Sequence, residues 1–339
     1  MTEVGPGRPV DLRSDTITQP SRQMRHAMAA AEVGDDVFGD DPTVLELERR
    51  TAELLGHQAG LFVVSGSMGN LLGVRCLAEP GTEVLCDVDA HIAKFELGAH
   101  SAVHGLSVRT FGNDHGRLVP DLVQPLLAPD AGPYLVSTRA VAVENTHGTS
   151  GGTLQPFSAL VEVSGTCRAA GIGLHLDGAR LWNAHVATGT ALVDFGRLFD
   201  TVTVCLSKGL GAPIGSVLVS SAENVARARV WRKRLGGGWR QAGILAAAGM
   251  YAIDHNLARL EDDHEAARAF AAELPDQPVP ETNMIMVMTS GPAADVVSAA
   301  AGHGVRLSAV GPTTVRAVTS LAVTVDQCAL AGRIVADLV

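Results

Sequence analysis

Along the chain, short runs of apolar and β-branched residues alternate with longer stretches in which apolar positions recur at helical spacing. The runs fall at 83–86, 107–111, 140–143, 173–176, 201–205 and 216–219. Apolar runs without polar alternation are what strands covered by helices on both faces require, so the chain predicts an α/β fold with a largely parallel central sheet. Residues 43–56, TVLELERRTAELLG, place Val44, Leu47, Ala52 and Leu55 at helical spacing. Thr43 reads as the N-cap, with Glu46 three positions on, and Gly56 as the stop. Residues 60–70, GLFVVSGSMGN, read as an apolar stretch, a Gly/Ser turn and a helix start. A charged helix over 257–272 is expected to open a small C-terminal α+β domain at 257–339, behind a large domain at 1–256 that includes the N-terminal segment. Residues 1–10 read as a flexible lead.

Composition narrows the function. A chain of 339 residues is long enough for a main domain and a smaller attached one. Apolar residues at 46% and charged residues at 18% are globular values. The formal charge of −10 repels phosphate backbones and anionic membranes, so neither nucleic acid nor a membrane is expected as a partner. The longest apolar segment, 242–253, falls short of the roughly 20 residues a bilayer span needs and reads as a buried helix. The N-terminus shows no apolar signal-peptide core. Five scattered cysteines without CxxC spacing argue against a zinc site or a disulfide framework, and a reduced, cytoplasmic setting is expected.

The chemistry concentrates at the ends of the apolar runs. In VTVCLSKGLGAPIGS, residues 202–216, a β-rich run ends at Ser207–Lys208 and a glycine-rich turn follows. Burial favours the free amine of a lysine, which can then form a Schiff base; a surface lysine at a strand–loop junction is the plainer reading of Lys208 alone. Thirty-one residues earlier, GLHLDGARLWNA ends an apolar run at Asp177, followed by Arg180. An acid there serves either as a helix N-cap or as the partner that keeps a pyridine nitrogen protonated. Lys208 and Asp177 together favour pyridoxal 5′-phosphate. SGSMGN, residues 65–70, offers Gly66 and Ser67 as phosphate-binding backbone donors at a helix start, although it matches neither GxGxxG nor the Walker pattern. His91 follows a predicted strand and suits ring stacking and proton transfer, or is an ordinary half-buried histidine. Glu144, Asn145, Thr146 and His147 form a polar strand end, either a site wall or a turn. Metal ligation by His91, His147 and Asp177 matches no ligand spacing, and no metal is expected.

Taken together, these motifs resemble the low-specificity L-threonine aldolases, of the aspartate-aminotransferase-like fold (fold type I) of pyridoxal-phosphate enzymes. The matching stretches are DLRSDT (11–16), GDDVFGDDPT (34–43), SGSMGN (65–70), ENTH (144–147), HLDGARL (175–181), SKGLGAP (207–213), GGGWRQAGILAAAG (236–249) and VRAVTS (315–320). The resemblance implies that Lys208 is the Schiff-base lysine, Asp177 the partner of the pyridine nitrogen, and His91 the group stacked on the ring. It implies phosphate binding by Gly66 and Ser67 and substrate-carboxylate binding by Ser14, Arg180 and Arg316. Lys233 and Arg240 resemble residues that reach the phosphate of a neighbouring subunit's cofactor, which implies at least a dimer; the family is usually a tetramer of paired dimers. The plainer reading of that basic stretch is a solvated helix end. The chain departs from the family at Phe38 (tyrosine is usual), Tyr134 (often histidine), Gly148 (often asparagine) and Trp239 (often methionine).

The implied activity is cleavage of the Cα–Cβ bond of L-threonine, L-allo-threonine or related β-hydroxy-α-amino acids, phenylserine included, into glycine and an aldehyde. His91, directly or through a water, is the first candidate for the base at the β-hydroxyl, with Tyr134 a further one. The competing readings are a β-eliminating lyase, an aminotransferase, or a non-catalytic binding protein of the same fold. Substrate side chain, Cβ stereochemistry and a glycine or alanine donor are not fixed by motifs.

Overall fold

A computed structural model describes residues 9–339. The reading of 1–10 as a flexible lead lies outside the described residues for 1–8. At its end it is corrected, because Val10 is buried in a strand. That strand, β1 (Val10–Asp11), pairs in parallel with β10 (Val305–Arg306). Val10 and Leu12 accordingly pack in the C-terminal core with Phe270, Ile285 and Val315.

The centre of the molecule is a seven-stranded sheet of β2 (Ala59–Val63), β3 (Glu83–Asp87), β4 (Ser107–Phe111), β5 (Thr138–Glu144), β6 (Gly173–Gly178), β7 (Thr201–Cys205) and β8 (Ser216–Ser220). Their order is β2-β8-β7-β6-β5-β3-β4. Only β8 runs against its neighbours, as its antiparallel pairing with both β2 and β7 shows. Each of the six predicted runs is a strand of this sheet, extended by one to three residues in four cases. Helices cover the sheet, so β3, β7 and β8 are buried at every position. A second, three-stranded antiparallel sheet lies in the C-terminal part, with β9 (Met284–Met288) beside β12 (Thr314–Val318), and β12 beside β11 (Ser308–Gly311).

The predicted helices form, with one change of cap. Pro42–Leu55 starts on Asp41, whose carboxylate accepts from the Val44 N–H at 3.1 Å. Thr43 is not the cap because Pro42 already occupies the first helical position, where its missing N–H costs nothing. Gly56 ends the helix at φ 70°, as expected. The apolar segment at 242–253 is the helix Gly243–His255, and the charged segment at 257–272 is the helix Leu260–Ala271.

One helix sets the position of the site. Gly66–Leu77 lies against β6 and β7, and two glycines one turn apart make the close approach possible. A Cβ at Gly69 would fall 2.5 Å from Thr203, and one at Gly73 would fall 2.7 Å from His175. The helix therefore rests directly on the strands, with its N-terminus beside their carboxyl ends. Ligands of open α/β sheets bind at those ends.

Candidate active site

Register explains why the polar groups meet. On adjacent parallel strands Glu144 is the Cα partner of Asp177, and Asp177 is the partner of Thr203. Asp87, Glu144 and Cys205 close their strands, and Asp177 is the last residue but one of its own, all at the carboxyl ends of the sheet. Beyond those ends lies a cavity of about 940 Å³ whose lining includes Ser14, Gly66, His91, Asp177, Lys208 and Arg316. Ser67, Arg180 and Glu144 line it as well.

Asp177 is buried in its strand and does not cap the helix that follows; the residue at the N-cap of Leu181–Thr188 is Arg180. Its Oδ2 accepts from the Asn70 side-chain amide at 2.7 Å and its Oδ1 from the Ala179 N–H at 3.1 Å. Burial, with the Glu144 carboxylate alongside, pushes the acid up to about 6. A cation brought to that carboxylate is therefore strongly favoured and holds it ionised.

Lys208 follows β7 in the glycine turn and is half-buried. Its carbonyl accepts from the Thr18 hydroxyl at 3.0 Å, which ties the turn to the N-terminal segment. Across the cavity, Ser65 caps the helix Gly66–Leu77 by accepting from the Met68 N–H, and the helix N-terminus offers the Gly66 and Ser67 N–H groups to an anion.

The two arginines are not equivalent. Arg180 donates through Nε and one Nη to the Asp15 carboxylate, both at 2.7 Å, which leaves its other Nη toward the cavity. Arg316 has a buried Nε with no partner among the described residues. Leaving such a donor unmet costs about 1–3 kcal/mol. Burial and the charge of Arg180 lower the Arg316 pKa, so an anion between the two guanidiniums relieves both.

His91 opens a short helix, and its own N–H donates to Glu144 at 2.8 Å. Its Nδ1 lies 3.0 Å from Glu96. Burial alone lowers its pKa; the Glu96 hydrogen bond and the charges of Asp177, Glu96 and Glu144 outweigh that and raise it. Three ligand atoms of His91, Glu96 and Asp177 lie within 4.8 Å of one another. His147 does not join them: it is buried against Asp87 at 3.2 Å. Sequence reasoning missed Glu96 and Asn70 as parts of the site.

Other expected residues lie elsewhere. Lys233 and Arg240 are exposed and do not line the cavity; Arg240 pairs with Asp35 at 3.0 Å. Tyr134 is 93% exposed in a loop and also stands apart from it. Phe38 is exposed, and Trp239 packs edge-on against Phe62. Gly148 does line the cavity, and its N–H donates to Glu144 at 2.8 Å.

An amine, a buried acid, a helix N-terminus and a pair of arginines around one cavity are the donor set of a pyridoxal-phosphate enzyme of fold type I. The Beta-eliminating lyase family profile matches residues 11–291. The chain is 42% identical over 283 residues to the low specificity L-threonine aldolase of Escherichia coli (strain K12), covering 82% of this chain and 84% of that one. It is 41% identical over 286 residues to low-specificity L-threonine aldolase 1 of Arabidopsis thaliana, covering 84% and 80%. Among solved structures, the Leishmania major threonine aldolase superposes with a TM-score of 0.84 at 21% identity, covering 96% of this chain and 98% of that one. SPT with bound PLP superposes with a TM-score of 0.73 at 16% identity, covering 96% and 88%. The chain belongs to the beta-eliminating lyase family, and within it to the low-specificity L-threonine aldolases.

Proposed function

We propose that this protein cleaves L-threonine, L-allo-threonine and related β-hydroxy-α-amino acids, phenylserine among them, into glycine and an aldehyde, with pyridoxal 5′-phosphate held on Lys208. The observation that carries the reading is the convergence of Lys208, Asp177, the Gly66–Ser67 N-terminus and Arg316 on one cavity.

When bound, the cofactor supplies an electron sink for the bond broken at Cα. The chain supplies the rest. Lys208 offers its Nζ for attachment. Asp177 would pair with the cofactor's ring nitrogen and keep it charged. The N–H groups of Gly66 and Ser67 hold the phosphate. Arg316, with the free side of Arg180 and the Ser14 hydroxyl, would hold the substrate carboxylate and so fix how the amino acid is oriented in the cavity. His91 accepts the β-hydroxyl proton, directly or through a water.

In the assembled enzyme, Lys233 and Arg240 reach the phosphate held by a neighbouring subunit. Their exposure in the single chain supports this reading. The enzyme is then a homotetramer of paired dimers. We divide the chain into a large domain at 1–256 and a small one at 257–339, with β1 packing on the small one. Five free, buried cysteines support a cytoplasmic setting. No helix of the described residues is long and apolar enough to cross a membrane.

Incubation with L-threonine, L-allo-threonine and phenylserine in parallel tests the activity. Glycine and an aldehyde are the expected products. A keto acid with ammonia, or cofactor converted to its amine form, would replace this reading with elimination or transamination.

A further inference from the structure

A buried carboxylate with no assigned part in the reaction lies behind His91. Glu96 follows the short helix His91–Lys94, and its side chain is almost wholly covered. Its Oε1 accepts from His91 Nδ1 at 3.0 Å and from the Asn70 amide at 2.9 Å, and its Oε2 lies 3.3 Å from His100 Nε2. The second hydrogen of the same Asn70 amide goes to Asp177 at 2.7 Å. The Asn70 oxygen is met by His175 Nε2 at 3.1 Å, and His175 Nδ1 by the Thr201 hydroxyl at 2.8 Å. Asn70 is thereby held on three sides, and its amide has one orientation that satisfies them all.

Burial alone would raise the Glu96 pKa, but the His100 imidazole alongside, with the hydrogen bonds from His91 and Asn70, brings it down to about 2. An ionised carboxylate only accepts hydrogen bonds, so the nitrogen facing it must carry the proton. Neutral imidazole has one N–H, and which nitrogen carries it is set by the bond the other atoms make available. The remaining nitrogen, Nε2, has no protein partner among the described residues, on a ring that lines the cavity. The acids facing this ring are Glu96, Glu144 and Asp177, and the charge of Lys208 acts on Asp177.

We propose that Glu96 is a positioning residue: it fixes the Nδ1–H tautomer of His91, leaves Nε2 as the atom that exchanges protons in the cavity, and through Asn70 ties that imidazole to Asp177. This rests on the proposed reaction for its kinetic consequence, but not for its structural one.

The test is histidine-selective ¹⁵N spectroscopy of the full-length holoenzyme, with the His91 signal assigned from its loss in His91→Asn. In the wild type, neutral His91 is expected to carry its proton on Nδ1. Glu96→Gln keeps an accepting oxygen and removes the charge, so the tautomer should persist while the His91 pKa falls by about one unit. Glu96→Ala should also release the tautomer, giving a mixture or the Nε2–H form. The turnover number should fall about 10-fold in Glu96→Gln and about 100-fold in Glu96→Ala, with KM and bound cofactor little changed. A wild-type tautomer and titration in Glu96→Ala would overturn the proposal, as would lost turnover with an unmoved His91 signal. If Glu96→Ala does not fold, the His91 titration in Glu96→Gln decides alone. A wild type that makes no glycine sinks the proposed reaction and leaves the tautomer result to stand or fall by itself.

Discussion

Arg180 and Asp15 form a two-point ion pair, with Nε and Nη2 each donating at 2.7 Å to one carboxylate. Asp15 has no exposed surface, and Asn283 donates to it as well, at 3.3 Å. Arg180 is thus aimed by a partner 165 residues away, and the fork with which an arginine grips a carboxylate is already spent. In the proposed reaction, the main task of meeting the substrate's carboxylate then falls to Arg316. Removing Asp15 leaves a buried guanidinium uncompensated, which costs about 3–5 kcal/mol. Asp15→Ala is expected to lower the melting temperature and to reduce kcat/KM about 100-fold or more, as thermal denaturation and initial rates will show; wild-type values for both would contradict the pairing.

Arg316 should behave differently from the residues that hold the cofactor. Its Nε is buried without a partner among the described residues, and in the proposed reaction it meets the substrate rather than the phosphate or the ring. Arg316→Ala is expected to raise KM about 10- to 100-fold, with cofactor retention unchanged. Loss of cofactor in that variant, read from the protein's visible absorbance, would move Arg316 to another role.

The pH profile follows from His91. A base must be neutral to accept a proton, and the carboxylates around this imidazole raise its pKa above the ordinary 6.5. Activity should therefore climb with pH along a limb whose midpoint lies above 6.5. Glu96→Gln should move that midpoint to lower pH. An acidic limb unmoved by the substitution would mean that His91 is not the titrating group.

Asp263 offers a stability test at a residue that does not line the cavity. It is buried with an Oδ2 that has no partner among the described residues, and burial, opposed by Arg259 and assisted by Asp15 and Asp262, pushes it up to about 7. An acid whose folded pKa lies above its unfolded value binds a proton more tightly when folded. Stability is then lost as pH rises from the unfolded value near 3.8 to about 7, and stays lost above it. Asp263→Asn should raise the melting temperature at pH near 8 by about 2 °C or more, with little gain at pH near 4. An equal gain at both pH values would remove the titration from the explanation.

The sheet was legible because buried parallel strands need unbroken apolar runs, and six such runs became β3 to β8. Lys208 and Asp177 stood out because polar residues ending such runs have few reasons to be there. The hydrogen-bonded shell was not legible. Asn70 meets Asp177 across 107 positions, and Glu96 meets Asn70 across 26. Those meetings depend on strand order and on how closely Gly69 and Gly73 let one helix approach the sheet, which periodicity does not encode. The cap at Asp41 was legible in principle, since Pro42 marks the first helical position. The pairing of β1 with β10 joins residues about 295 apart through two-residue strands, too short to leave a pattern.

The attachment point is the most direct test of the whole account, and the chain makes it unusually clean. It contains three lysines: Lys94, Lys208 and Lys233. Lys94 is engaged with Asp89, and Lys233 is exposed on a helix end outside the cavity. Borohydride reduction of the enzyme loaded with pyridoxal 5′-phosphate, followed by peptide mass mapping, reads the attachment directly. The cofactor's mass is expected on the peptide that carries Lys208, and neither that label nor aldehyde production is expected in Lys208→Ala. Label on Lys94 or Lys233, or cleavage of L-threonine at the wild-type rate by Lys208→Ala, would contradict the account.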